Sequence, residues 1–306
     1  MYEPGEPVTL HNIPHLYAPH LIAAWSGMGA VALLAVNYLR QAIEAEFFGE
    51  IDPRGYYSPT QVIIRESLVQ PPELPETRFY YWDKGQQHDL VLLIGTEQPT
   101  AAYDMAVQVI DTAKRLGVER VYTAAAFPRF IPHTRTPAVW GTATHPDLIA
   151  EIEQYGVKLM DQGTIAGLNG LLLAVAKERG IEGICLLGEI PMYARGALNP
   201  RASHAVLATL TQMLKVDVAL HRLALWAEDL DSEMEKLYEA LPDYIKEAIT
   251  RDQDSAGVLG LSDSEAEPPL VADDAFFSGI EAFLQQHRTS EDDAEEQDPD
   301  QPLPRS

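Results

Sequence analysis

The sequence predicts an α/β protein of three layers, α/β/α, around a mostly parallel sheet. Short, wholly apolar runs at 21–25, 90–94 and 184–187 have the length and uniform hydrophobicity of strands buried on both faces. Segments with helical apolar spacing alternate with these runs, each about ten to fifteen residues long. Glycine- or proline-marked turns follow the strands, where open α/β proteins place their sites. The crossovers are expected to be right-handed.

Each element has a local reason. Residues 21–25 form the first strand, and Ser26-Gly27-Met28-Gly29 turns the chain into a helix over 30–40. Residues 45–51 read as a strand, followed by a Pro/Gly-rich loop to Pro59. Residues 61–68 and 78–83 alternate as strands do, with the proline-rich 70–75 between them. The buried strand 90–94 ends in Gly95-Thr96-Glu97. Thr100 is placed to N-cap a helix over 101–116, which Gly117 stops. Strands are predicted at 120–126 and, interrupted by Pro137, at 136–144. Pro146 opens a helix that ends at Gly156, because a missing N–H costs nothing in the first turn. Gly167, Asn169 and Gly170 begin an apolar helix. The strand 184–187 follows, then a polar loop, Gly188-Glu189-Ile190-Pro191-Met192-Tyr193. A helix over 202–214 completes a core domain of residues 1–219.

Residues 220–250 read as a helical extension, with Leu223, Leu230, Met234, Leu237 and Leu241 at helical spacing. A linker is expected over 251–272. An amphipathic helix is expected over 273–287, with Phe276, Phe277, Ile280, Phe283 and Leu284 on one face. Residues 288–306 read as a disordered acidic tail.

Composition excludes several function classes. The 306 residues are 46% hydrophobic, enough for a large core, and the formal net charge is -24. Residues 252–306 hold 15 acidic and 2 basic residues, so they carry -13 of that charge and leave -11 on the body. An acidic body argues against binding nucleic acid, whose phosphates require cationic surface. It argues equally against anionic membrane surfaces. No apolar run approaches the ~20 residues of a membrane span, and the first residues lack the pattern of a signal peptide. The single cysteine, Cys185, lies within an apolar strand and reads as a buried structural thiol. With no disulfide possible within the chain, a reducing cytoplasm is expected. The histidines show no metal-ligand spacing, and prolines separate His11, His15 and His20, so no metal or cofactor is expected.

Four segments are candidates for chemistry. Gly27-Met28-Gly29-Ala30-Val31-Ala32 fits the alanine-ended dinucleotide fingerprint, with Glu50 at the end of the next strand. A tight strand-to-helix turn explains the same glycines. Gly167-Leu168-Asn169-Gly170 is a glycine-rich helix start whose backbone N–H groups could face an anion, or could simply allow close packing. Glu189 lies beyond a buried strand, with Tyr193 and Arg195 close behind, and is the best candidate for an acid or base. Ser203 and His204 are adjacent, so on a helix they point about 100° apart and form no nucleophile–base pair. Arg129, His133 and Arg135 form a basic island beyond another strand end, suited to an anionic ligand or a partner's carboxylates.

Several blocks, taken in order, give the chain a family resemblance. They are Trp25-Ser26-Gly27-Met28-Gly29 with Asn37 and Tyr38, then Gly95-Thr96-Glu97-Gln98-Pro99, then Ile165-Ala166-Gly167-Leu168-Asn169-Gly170. The last is Gly188-Glu189-Ile190-Pro191 through Pro200-Arg201-Ala202-Ser203. With these, residues 18–215 resemble the bacterial and archaeal branch of the proteasome assembly chaperone 2 family. The resemblance implies a phosphorylase-like three-layer fold, a homo-oligomer (often a trimer), and protein partners, proteasome subunits among them. It also explains Gly27 and Gly29 as the family's first turn. The chain ends Pro302-Leu303-Pro304-Arg305-Ser306, without the hydrophobic–tyrosine–x tail of eukaryotic members, so docking through such a tail is not expected.

Two readings follow. One is a non-enzymatic assembly or scaffold protein whose strand-end surface meets subunits or partners. The other is an enzyme for an anionic or nucleoside-like ligand on a phosphorylase-like fold. A deep pocket holding Glu189 beside Asn169 separates the second from the first.

Overall fold

The computed structural model describes residues 7–251, apart from Gln61 and Gln86. The expected linker beyond Arg251, the amphipathic helix and the acidic tail lie outside the described residues.

In chain order the strands are β1 (Val8–Leu10), β2 (His20–Trp25), β3 (Glu46–Ile51), β4 (Ile64–Arg65), β5 (Leu68–Val69), β6 (Thr77–Trp82), β7 (Leu90–Gly95), β8 (Arg120–Arg129), β9 (Val139–Ala143), β10 (Lys158–Leu159) and β11 (Glu182–Pro191). The helices are α1 (Val31–Ala42), α2 (Ala102–Arg115), α3 (Pro146–Glu153), α4 (Gly167–Glu178), α5 (Pro200–Leu214), α6 (His221–Asp229), α7 (Asp231–Glu239) and α8 (Asp243–Arg251). Among the described residues, nine strands form one sheet in the order β1-β3-β6-β7-β2-β8-β11-β9-β10. The central four, β7-β2-β8-β11, are parallel. Antiparallel pairs extend both flanks, so the sheet is mixed, with its parallel part confined to the middle and the β9–β10 edge.

Alternation along β11 shows the layering. A Cβ at Gly183 would meet Leu173 of α4, whereas one at Gly188 would meet Ala202 and Val206 of α5. Odd and even positions of a strand face opposite sides, so α4 and α5 cover opposite faces. α2 packs with α4, and α1 with α5. Trp25, Leu21, Val91, Leu93 and Val121 on the strands meet Met105, Val109, Leu168, Leu172 and Val175 on α2 and α4 to form the main core.

The structure corrects several local expectations. The run 61–68 is not one strand. Glu66 and Ser67 both have positive φ (53° and 64°), the backbone of a tight two-residue turn, and the chain folds back as the β4–β5 hairpin. Thr100 does not cap α2. Its hydroxyl donates instead to the Tyr56 carbonyl at 2.8 Å, and Ala101 occupies the cap position. The last core helix begins at Pro200 rather than 202, with Asn199 Oδ1 accepting the Ala202 N–H at 3.2 Å. The segment 188–191 is strand, not loop. β11 stays in register with β8 from Glu182↔Arg120 to Pro191↔Arg129. A polar residue can remain in that buried strand because its carboxylate is satisfied internally, as shown below.

Helices occupy 221–251. α6 packs on α5, and α7 lies against the 3-10 turn Met192–Ala194. Arg201 of α5 and Asp231 of α7 join at 2.6 Å. No helix of the described residues is long and apolar enough to cross a membrane.

Candidate functional site

The carboxyl ends of the central strands bring most of the predicted site residues into two linked groups. In the first, parallel pairing sets Glu189 of β11 near Arg129, the last residue of β8, although sixty positions separate them. Glu189 is fully buried and Arg129 is 7% exposed. Arg129 Nη1 lies 3.3 Å from Glu189 Oε1. Trp140 Nε1 donates to the same oxygen at 2.8 Å, and the Ala138 N–H donates to Oε2 at 3.1 Å. The guanidinium also lies 5.5 Å from the centre of the Trp140 ring. Glu189 thus accepts three donors from the protein itself. Both carboxyl oxygens are therefore engaged inside the protein.

Tyr193 and His133 continue this group outward. The Tyr193 hydroxyl accepts the His133 backbone N–H at 2.8 Å and lies 2.9 Å from its Nδ1. On its other side the ring's Nε2 lies 3.2 Å from Glu235 Oε2 of α7. The Tyr193 ring sits 5.7 Å from that of Tyr238, and burial pushes its phenol pKa up to about 12. Arg135, partly exposed, lines the small cavity beside these groups. Of the expected basic island, therefore, Arg129 and His133 are buried and engaged inside the protein.

The second group holds the glycine turns. Gly27 has extended φ, and nothing would obstruct a Cβ there. Gly29 has φ 62°, and its Cβ would lie 3.1 Å from that of Asn199. Its N–H donates to the Arg195 carbonyl at 3.1 Å, and its own carbonyl accepts the Asn199 N–H at 2.8 Å. This turn, through Met28, is spent on holding the 195–199 segment, not on cradling a pyrophosphate. The Gly167 turn is occupied in the same way. The Gln98 side chain bridges it to the first turn, with Nε2 donating to the Ser26 carbonyl at 2.5 Å and Oε1 accepting the Leu168 N–H at 2.9 Å. Asn169 Oδ1 accepts the Trp25 N–H at 3.2 Å. A Cβ at Gly170 would run into the Ile165 carbonyl at 2.2 Å, and one at Gly95 into Trp25 Nε1 at 1.9 Å. These glycines are required by close approach.

The cavity at the strand ends measures about 20 Å³, room for a single water, and Asn169 does not line it. Ile131, His133, Glu189, Pro191, Asn199 and Met234 are among the residues that line it. A larger hollow of about 390 Å³, bordered by Val8, Gln108, Asp111 and Arg115, is an open trough away from the strand ends. Its Asp111 is paired with Arg179 at 2.9 Å. Gln98, Trp140, Glu235 and Tyr238 were not singled out as site residues by sequence reasoning. Only Gln98 carried a signal, as part of the quoted Gly95–Pro99 block.

A large mixed sheet between helical layers, with its strand ends closed by interlocked turns, defines an α/β/α protein. The chain belongs to the PAC2 family, whose model matches residues 21–238. An uncharacterised protein of Methanocaldococcus jannaschii is 26% identical over 234 residues, 74% of this chain and 86% of that protein. The crystal structure of Pyrococcus furiosus PbaB, an archaeal proteasome activator, matches with TM-score 0.64 and 29% identity, over 76% of this chain and 98% of that one. Pyrococcus furiosus PbaA, an archaeal homologue of proteasome-assembly chaperone, matches with TM-score 0.59 and 25% identity, over 81% and 98%.

Proposed function

We propose that this chain is a non-enzymatic, assembly-chaperone-like or scaffold protein of the cytoplasm. It associates with itself, as a trimer, and binds other protein subunits, those of the proteasome foremost. The observation that carries the reading is the closure of the strand ends. Glu189, the Gly29 N–H and the Leu168 N–H all have partners within the chain. The space left, about 20 Å³, is far below the roughly 300–1,000 Å³ of small-molecule sites. The family, together with the archaeal activator and chaperone homologue, supports protein partners.

Light scattering on the full chain at micromolar concentration tests self-association. The expected mass is three times that of one chain, and a clean monomer would overturn this part. A thermal-shift screen with nucleosides, inorganic phosphate and NAD tests the enzyme alternative. No stabilisation is expected, and a saturable shift with any of them would favour the enzyme.

A further inference from the structure

At the opposite end of the sheet, three residues distant in sequence converge. β7, β2 and β8 are parallel neighbours that begin at one level, with His20 paired to Leu90 on one side and Arg120 on the other. His20 is the first residue of β2, His88 lies two positions before β7, and Glu119 one position before β8. Each offers a ligand atom, and these atoms all lie within 4.8 Å of one another. The backbone fixes the arrangement: His20 N–H donates to the Asp89 carbonyl at 2.9 Å, and Glu119 N–H to the Pro19 carbonyl at 3.0 Å.

We propose that His20, His88 and Glu119 bind one divalent transition-metal ion of the zinc class, which clamps the starts of the three central strands. One further observation points to a ligand. His20 is only 5% exposed, and its buried Nδ1 has no hydrogen-bond partner among the described residues. A buried polar atom left unpaired calls for an explanation, and an ion captured by the ring supplies one. In its present orientation His88 Nδ1 lies 3.3 Å from the Ala18 carbonyl, a contact the ring exchanges for the ion when it turns. Two imidazoles and one carboxylate suit zinc-class ions, whereas calcium and magnesium require oxygen ligands. The nearby Arg120 guanidinium is compensated by Glu182 and Glu151, at 2.6 and 2.7 Å. The two rings are stacked, with centroids 3.8 Å apart. Coordination therefore requires the half-buried His88 ring to turn, until both lone pairs converge at about 2.0–2.1 Å from the ion. Spacing along the chain pointed away from a metal because these ligands come from three separate strand starts.

The test is calorimetric titration of the untagged full chain with zinc chloride, alongside His88→Ala and Glu119→Gln. Both side chains lie at the surface of the site, and circular dichroism checks that the variants fold. The expected result is one saturable site per chain, lost in His88→Ala and weakened tenfold or more in Glu119→Gln. Cobalt should give the intense visible bands of a tetrahedral site in the wild type and not in His88→Ala. Absence of saturable binding, or binding that either substitution leaves unchanged, would overturn the proposal.

Discussion

Replacing Glu189 by glutamine tests the reading of the strand-end group as structure rather than chemistry. The substitution keeps the shape of the side chain and removes its charge. Arg129, 7% exposed, then loses the carboxylate 3.3 Å away. At an effective dielectric constant of about 20, the lost attraction is roughly 5 kcal/mol. Glutamine also offers one acceptor oxygen where glutamate offers two. Its amide N–H₂ must face either the Ala138 N–H or the Trp140 and Arg129 donors, which sets donor against donor. Lower desolvation cost returns part of this loss. The net expected destabilisation is about 3–5 kcal/mol, the range for a buried pair broken on one side. Urea unfolding of the full chain, followed by tryptophan fluorescence, measures it. The double substitution Arg129→Met with Glu189→Leu removes both charges and should cost much less than the sum of the single changes. A loss below about 1 kcal/mol for Glu189→Gln, or a double variant that costs the full sum, would refute the reasoning.

Other substitutions separate packing from binding roles. Gly29→Ala should cost about 1–2 kcal/mol, because φ is 62° and Asn199 is close, whereas Gly27→Ala should stay within roughly 0.5 kcal/mol; equal losses would contradict the packing account of this turn. Gly95→Ala places a Cβ 1.9 Å from the fully buried Trp25, so denaturation should show a loss of about 3 kcal/mol or more. Cys185 is fully buried, and burial pushes its thiol pKa from 9.0 up to about 12. Iodoacetamide at pH 8 should therefore alkylate it only on unfolding, and rapid labelling of the folded protein would contradict its burial. The unfolded thiol releases its proton first, so this residue's contribution to stability is intact below pH 9 and declines as pH rises toward 12. Comparison with Cys185→Ala at pH 8 and pH 10 isolates that slope.

Much of the fold was legible because buried parallel strands and their crossover helices leave strong local patterns. The runs at 21–25 and 90–94 became β2 and β7, and Pro146 did open α3. What failed was local chemistry overridden by tertiary contact. Glu189 looked like a loop residue because nothing nearby in sequence announces Arg129 and Trp140. The hairpin turn at Glu66-Ser67 lacks the Asn-Gly signal that such backbone favours. Candidate residues were found as two separate lists, around 129–135 and 189–195. Only the pairing of β8 with β11 joins them, and α7 adds Glu235 and Tyr238 from a region read as a helical extension. The family blocks were the best guide because their residues contact one another. Gln98, Ser26 and Leu168 come from three blocks and meet at one point.

Affinity capture of the full chain from its native cells, with the bound proteins identified by mass spectrometry, tests the protein-binding account most directly. The account predicts enrichment of proteasome subunits or their assembly intermediates over a capture with unrelated acidic bait. Recovery of the chain without any proteasome subunit would contradict it.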